Sequence, residues 1–542
     1  MASSGIESAS GYSHSHNDFI PEPLTLDARR RVALAEIDDA QFTWFHLKVI
    51  MVAGIGMFTD AYNIFTITFA STMIGFVYGD NYNGPSQWPQ GLQTLNPKYD
   101  LGLKTATLGG VICGQLFFGR LADIMGRRKM YGIELVIMTV STFVQALAGD
   151  SMTGAISIIN ALIVWRVLMG IGIGGNFPLN AIIVSEFSPI RIRGRLMTIV
   201  VLFQGIGIFA AALVAFVVVA AYKNDITDHS LRAVDQMWRL LIGLGCIPAV
   251  IGLYFRLTAP ETPRFTIDVG SNLEQALADI GPSFGHGEIG HDDEVFRRLA
   301  VPKAGWKDFI RYFSAWENSR VLLGASYSWF AIDAIFYGLG LNISALVGDN
   351  PFNLNASCNG VGICEKLYYD SATNLIIAIL ASIPGYFVSF ALVDSWGRKR
   401  IQFMGFTALG IILIVLGAAL NNLKNAGPAG HDAIVFVYCL ASFFQTFGPI
   451  VSTFIIPGEL FPTRYRSTCY GIAAASGKLG ATISLVIFHY VQELNIVLIV
   501  FGGFMLTGTG STLWLPEPKG KSLENLSNEG QRGFVQGDAS KT

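Results

Sequence analysis

The chain has 542 residues, 51% of them hydrophobic and only 14% charged, with a formal net charge of −2. Together with a mean hydropathy of +0.47, this excludes a soluble globular chain and describes a polytopic, all-α membrane protein. The net charge says nothing about partners; the expected surroundings are a lipid bilayer, with no nucleic-acid partner.

Residues 1–46 are polar, Ser-rich at the start and carry the basic run Arg29 to Arg31. They read as a cytoplasmic tail without a secretory signal, so the first span is expected to serve as the targeting signal. Twelve apolar stretches follow between Leu47 and Leu515, each long enough to cross a bilayer at about 20 residues. Their centres fall near Met57, Val111, Met138, Met169, Ile208, Gly245, Asp333, Ile379, Ile411, Phe443, Ala475 and Phe501. The spans group as a six-helix half at 47–258, a cytoplasmic inter-half segment at 259–318 and a second half at 319–516, before a tail at 517–542.

Arginine and lysine concentrate in alternate loops: "GRLADIMGRRK" (119–129), "RIRGR" (191–195), "GRKR" (397–400) and "RYR" (464–466). The positive-inside rule places these loops and both termini in the cytoplasm. The loops also repeat. "SEFSPIRIRG" (185–194) matches "GELFPTRYRS" (458–467), pairing Glu186 with Glu459, Pro189 with Pro462, Arg191 with Arg464 and Arg193 with Arg466. "LADIMGRRK" (121–129) matches "LVDSWGRKR" (392–400) at nearly the same offset. A six-plus-six repeat is the plan of rocking secondary transporters, whose substrate site lies at the midplane between halves.

The repeated loop residues are assigned to gating: Asp123, Arg127, Glu186 and Arg193 in the first half, Asp394, Arg398, Glu459 and Arg466 in the second. Asp123 is expected to accept hydrogen bonds from helix ends and arginines in one state and release them in the other. Phe390 stands where the first copy has Gly119, so the second lock is expected to be looser or differently packed. In the inter-half segment, Trp306, Phe309, Ile310 and Phe313 recur at helical spacing while Lys307, Asp308 and Arg311 fall elsewhere, the pattern of a helix lying in the interface.

"GIGIGG" (170–175) has the look of a dinucleotide fingerprint, but it lies inside an apolar span with no preceding strand, and is read as helix packing. Cys358 and Cys364 share a non-cytoplasmic loop with the sequon Asn355-Ala356-Ser357, which makes them a candidate disulfide and Asn355 a candidate glycosylation site. Cys113, Cys246 and Cys439 lie within spans and read as small apolar residues. No enzyme constellation, metal cluster or cofactor motif stands out. His489 and Glu134 are assigned to interfacial positions, Glu134 facing the cytoplasmic basic loops.

A charge at the bilayer centre costs roughly 2.5–3.5 kcal/mol, so Asp333 is a functional candidate by default. Trp329, Asp333 and Tyr337 recur every fourth residue and share one helix face: an indole donor, a titratable carboxylate and a phenol. Asp60 in the first span is a second carboxylate, with Arg166 in the fourth as the cation expected to hold it ionised or sense its proton.

"GRLADIMGRRK" resembles the major facilitator loop signature, and "PETPRF" (260–265) and "PEPKGKSLE" (516–524) resemble that superfamily's half-end motifs. More narrowly, "GMFTDAYNIF" (56–65), "GIGIGGNFPLNA" (170–181), "WFAIDAIFYGLGLN" (329–342) and the stretch 443–481 resemble the phosphate:proton symporter family of fungi and plants. The resemblance implies the twelve-helix major facilitator bundle, a plasma-membrane location, and substrate or proton handling at Asp60, Gln204, Trp329, Asp333, Tyr337 and Lys478. Asn176 and Phe177 stand where the family has Asp and Tyr, Asn63 where it has Asp, and Ile450 where it has Asn. These changes imply a less acidic, more apolar substrate site.

Three readings follow. The first is proton-coupled symport of inorganic phosphate, with protons carried on Asp60 and Asp333. Charge arithmetic supports coupling: an anion entering an inside-negative compartment meets about 2.3 kcal/mol per 100 mV, which one proton cancels and a second turns into a driving force. The second keeps the fold but carries an organic phosphate such as a glycerophosphodiester, or another organic anion. The third is a nutrient sensor signalling through its tails.

Overall fold

A computed structural model describes residues 34, 37–79, 94–149, 157–226, 231–257, 261–268, 305–348, 350–356, 358, 362–491 and 493–526. The polar tails at 1–25 and beyond 526, and the charged centre of the inter-half segment, lie outside the described residues. Among those described, twelve helices are long and apolar enough to cross a membrane: α1 (Trp44–Tyr78), α2 (Pro97–Met125), α3 (Arg127–Leu147), α4 (Ile158–Phe187), α5 (Arg193–Tyr222), α6 (Arg232–Leu257), α7 (Trp316–Gly340), α8 (Gly362–Trp396), α9 (Arg398–Asn425), α10 (Pro428–Leu460), α11 (Arg466–Tyr490) and α12 (Leu494–Thr512). Each contains one of the twelve centres read from the sequence. The bundle surface exposes rings and branched side chains such as Phe117, Phe143, Val250, Phe387 and Val415. A lipid-facing surface has no reason to be polar.

With lipid as apolar as leucine, helices gain little by hiding leucines from it and associate where backbones approach closely. "GIGIGG" does this. A Cβ added at Gly170 would stand 2.2 Å from Thr107 O, and one at Gly174 would stand 2.4 Å from Val111 O. The facing glycines are as tight: Gly110 against Val167 O at 2.1 Å and Gly114 against Ile171 O at 2.2 Å. The motif is the α2–α4 seam.

Three spans are interrupted. α6 breaks at Leu244–Gly245, α8 passes through a π-helical turn at Ala378–Ser382, and α10 through another at Thr446–Ile450. There Phe447 and Gly448 leave helical geometry ahead of Pro449, because proline removes a donor and collides with the preceding turn. Ile450 closes that turn and is buried.

The half-end motifs have a common geometry. Glu261 accepts from the backbone N–H groups of Arg127 (3.1 Å) and Arg128 (3.1 Å) at the start of α3. Glu517 accepts from those of Arg398 (3.0 Å) and Lys399 (3.0 Å) at the start of α9. A carboxylate is favoured there because the first N–H groups of a helix lack intrahelical partners. The preceding glycines, Gly126 (φ 103°) and Gly397 (φ 98°), take a backbone geometry that other residues adopt with strain.

The inter-half helix Trp306–Ser314 packs one face on the second half and leaves Trp306 and Ile310 exposed. Phe309 and Tyr312 are buried, and the Phe309 ring meets Tyr465 edge-on at 5.3 Å. Asp308, read from sequence as part of the polar face, accepts from Arg464 at 3.1 Å and from the Tyr465 hydroxyl. Burial and the bond to Asp308 raise the Tyr465 phenol above its ordinary value. At the other end of the bundle Cys358 and Cys364 are joined, with Cα atoms 6.0 Å apart, and Asn355 is exposed beside them.

Candidate functional site

α7 turns Trp329, Asp333 and Tyr337 inward together; all three are buried. Opposite them α11 supplies Lys478, whose Nζ donates to Asp333 Oδ2 at 2.6 Å. The same ammonium lies 4.4 Å from the Tyr337 ring centre and 5.0 Å from that of Phe177, which comes from α4 of the first half. Close packing holds the pair in place: a Cβ at Gly477 would meet Trp329 at 2.5 Å and Asp333 Oδ2 at 2.7 Å. Gln204 of α5 and Ile450 of α10 are buried as well.

Two phenols that sequence reading missed belong to this region. Tyr470 meets Trp329 edge-on at 5.1 Å, and Tyr386 fills the space beside Gly205, next to Gln204. Both hydroxyls are buried without a hydrogen-bond partner among the described residues, an arrangement that needs an explanation such as a ligand or water. Nothing in their sequence spacing marks them.

The second polar chain runs through the first half. Asp60 Oδ2 accepts from Asn176 Nδ2 at 2.7 Å. Asn176 Oδ1 in turn accepts from Arg256 (2.6 Å) and Asn180 (2.8 Å). Arg256 reaches Glu134 at 2.8 Å and lies over the Tyr131 ring at 4.0 Å. A Cβ at Gly56 would fall 1.8 Å from the guanidinium, so α1 leaves that space to Arg256. Asp60 Oδ1 is buried with no hydrogen bond.

Two expectations are corrected here. Arg166 does not reach Asp60; its Nε donates to the backbone of Leu103 at 2.8 Å. It sits nearly three helical turns (~2.8) from Asn176, towards the other end of α4, whereas Arg256 arrives from α6. Glu134 does not face the basic loops but is fully buried against Arg256. A third assignment also moves: Asn63, grouped with the cavity positions, packs at the α6 break, where a Cβ on Gly245 would meet its Oδ1 at 2.2 Å.

At the end bearing the basic loops the halves are joined by buried polar contacts. The N–H groups of Ser467 (3.2 Å) and Thr468 (2.7 Å) and the Thr468 hydroxyl (2.7 Å), all at the start of α11, donate to Asp123 of α2. Glu186 lies between Arg127 (3.3 Å) and Arg466 (2.9 Å), one from each half. The second copy is built differently. Asp394 takes the Arg195 N–H (3.0 Å) and Arg398 (2.9 Å), and Arg398 grips Glu459 with two nitrogens at 3.0 and 3.1 Å. Arg193, the repeat partner of Arg466, pairs instead with Asp38 of the N-terminal segment at 3.0 Å. Asp38 also meets Arg264 at 2.6 Å, and Arg264 meets Glu524 at 3.0 Å, so both terminal segments and the inter-half segment share one cluster. Burial opposes charge on Glu524, but Arg264 and Arg466 outweigh it and hold the carboxyl at about 2.

At the opposite end the halves meet through Phe65 against Phe336 (5.5 Å) and Tyr337 (5.8 Å), and through Lys104 donating to Asn342 at 3.4 Å. Facing carboxylates, cations and phenols enclosed between the two halves have the chemistry to bind an anion and exchange protons with it.

Residues 49–529 match the family described as sugar (and other) transporter. A repressible high-affinity phosphate permease of Neurospora crassa is 41% identical, over 96% of this chain and 92% of its own. An inorganic phosphate transporter of Saccharomyces cerevisiae is 39% identical, over 95% and 89%. One from rice is 35% identical, over 92% and 96%. Among solved structures, a proton:xylose symporter aligns with a TM-score of 0.64 at 19% identity, over 89% of this chain and 98% of that one, which shows a shared fold. The chain therefore belongs to the sugar (and other) transporter family of the major facilitator superfamily, alongside fungal and plant proteins named as phosphate permeases and transporters.

Proposed function

We propose that the protein carries inorganic phosphate across the membrane together with protons. The observation that carries this reading is the buried Asp333–Lys478 pair, 2.6 Å apart beneath Phe177 of the other half. While Asp333 is charged it occupies Lys478. A proton on Asp333 releases the ammonium for an entering anion and turns the carboxyl into a donor. Trp329 and the phenols of Tyr337, Tyr386 and Tyr470 supply further donors. On return of the proton to water, Asp333 recaptures Lys478 and displaces the anion.

Asp60 is assigned the second proton. Its free oxygen accepts it, and the Asn176–Arg256–Glu134 chain keeps a fixed charge one amide away. Two protons per monovalent anion let the membrane potential drive uptake. The lock around Asp123, Glu186 and Arg466 opens for release into the cytoplasm, and Asp394 and Arg398 hold the second seam. The names of the relatives at 35–41% identity support phosphate as the cargo. We assign both termini to the cytoplasm, in line with the alternation of basic loops, and the protein to the plasma membrane, in line with the family resemblance.

A second reading, an organic phosphate such as a glycerophosphodiester, is favoured by one observation: Lys478 faces the apolar ring of Phe177, and Ile450 is buried on α10. Labelled phosphate uptake into proteoliposomes under an imposed pH gradient separates the two. Accumulation that resists unlabelled glycerophosphodiesters supports inorganic phosphate. Absent flux with intact binding of the organic competitor supports the second cargo.

A further inference from the structure

At the start of α9 a cleft of about 460 Å³ opens on the side of the bundle, lined by Trp396, Lys399, Arg400, Phe403, Glu517 and Lys519. We infer that this cleft binds the headgroup of an anionic phospholipid from the leaflet on the basic-loop side. Three cations line it against one carboxylate, and that carboxylate is committed: Glu517 accepts from the N–H groups of Arg398, Lys399 and Lys519. Lys399 is steadied by Leu513 O at 3.1 Å and Lys519 by Ser395 O at 2.5 Å, contacts that leave both ammonium charges uncancelled.

The apolar part of the lining faces the bilayer. Trp396 is 49% exposed and Phe403 42%, and Trp514 and Trp316 continue the exposed aromatic row along this end of the bundle. Indoles at the headgroup level and basic pockets at helix ends are what an anionic lipid requires, its acyl chains lying on the rings and its phosphate among the cations. A soluble anion would leave the aromatic half of the cleft unused.

The two halves differ at this point of the repeat. In the first half the chain after Glu261 folds into the helix Pro263–Asp268, and the Phe265 ring covers Arg127 at 4.6 Å. Counting from the two glutamates, Lys521 stands where Phe265 does. Past Glu517 the chain instead turns at Gly520 (φ 69°) before the short helix Leu523–Leu526. Because Glu517 fixes the N–H groups of Arg398, whose side chain holds Glu459 and Asp394, a lipid here adjoins the second seam between the halves.

The test is native mass spectrometry of the full-length protein purified with defined lipids. The wild type is expected to retain phosphatidylinositol or phosphatidylserine over phosphatidylcholine. Arg400→Gln with Lys519→Gln, both exposed and outside the seam, should lower that preference about thirtyfold from the loss of two charges at the surface. Arg400→Lys should keep it, which separates charge from damage to the fold. Equal retention of phosphatidylcholine, an unchanged preference in the double variant, or displacement of the lipid by millimolar inorganic phosphate would each overturn the assignment.

Discussion

Lys478 Nζ stands 2.6 Å from Asp333 Oδ2, an ion pair sealed between α7 and α11 and roofed by the Phe177 ring from the first half. On the proposed function, protonation of this pair couples the cavity to the pH gradient. Asp333→Asn keeps the shape and a hydrogen bond to Lys478 but cannot titrate. The expected outcome is a folded, inserted protein that has lost pH-gradient-driven accumulation of phosphate in proteoliposomes. Uptake that stays pH-dependent in this variant would remove Asp333 from the coupling.

Arg256 and Glu134 form the other buried pair, 2.8 Å apart and both fully enclosed. Arg256→Met leaves an unpaired carboxylate and should destabilise the protein by about 3–5 kcal/mol, whereas Arg256→Met with Glu134→Leu should recover most of that loss. Thermal unfolding in detergent reads both. Equal melting temperatures for the single and double variants would mean that the pair is not coupled.

Cargo choice is predicted to lie with Phe177 and Ile450. Phe177→Tyr with Ile450→Asn adds a hydroxyl beside the ammonium and a buried amide on α10 and should move competition in favour of inorganic phosphate over glycerophosphodiesters by about tenfold, the value of one or two hydrogen bonds. An unchanged competition ratio would exclude these two as selectors.

The two seams should respond unequally. Asp123 is wholly buried and takes three donors from α11, while Asp394 is 10% exposed and takes one backbone N–H from α5. Asp123→Ala should therefore open the basic-loop end more than Asp394→Ala. Labelling of a cysteine placed at Ser185, which is fully buried in this state, measures the opening; faster labelling in the Asp394 variant would reverse the ranking.

Glu524 gives a pH dependence with a definite sign. Its carboxyl is held at about 2 against an ordinary 4.5, so the tether to Arg264 is fully present above about 4.5 and is lost as pH falls towards 2. Glu524→Gln should lower the melting temperature by a constant amount between pH 7 and 5, and the gap should begin to close below about 4.5. A gap that widens on acidification would contradict the assignment.

The twelve spans and the presence of a carboxylate, Asp333, inside one of them were legible in the sequence because hydropathy and a charge inside an apolar run are local properties of the chain. The packing role of "GIGIGG" was legible for the same reason, since small residues spaced along a helix mark a seam whatever its partner. Which cation serves which carboxylate was not. Arg166 is the basic residue inside α4, yet Arg256 reaches the Asp60 chain because α6 brings it there and Gly56 leaves the space. Tyr386 and Tyr470 carried no signal, since a tyrosine in a span reads as one more apolar residue until the fold leaves its hydroxyl unpaired. Which stretches lie in lipid follows from transfer energy summed along the chain, and the repeats from residue identity at a fixed offset. The pairings of buried charge came only with the fold, because each depends on a few ångströms between helices that are distant in sequence.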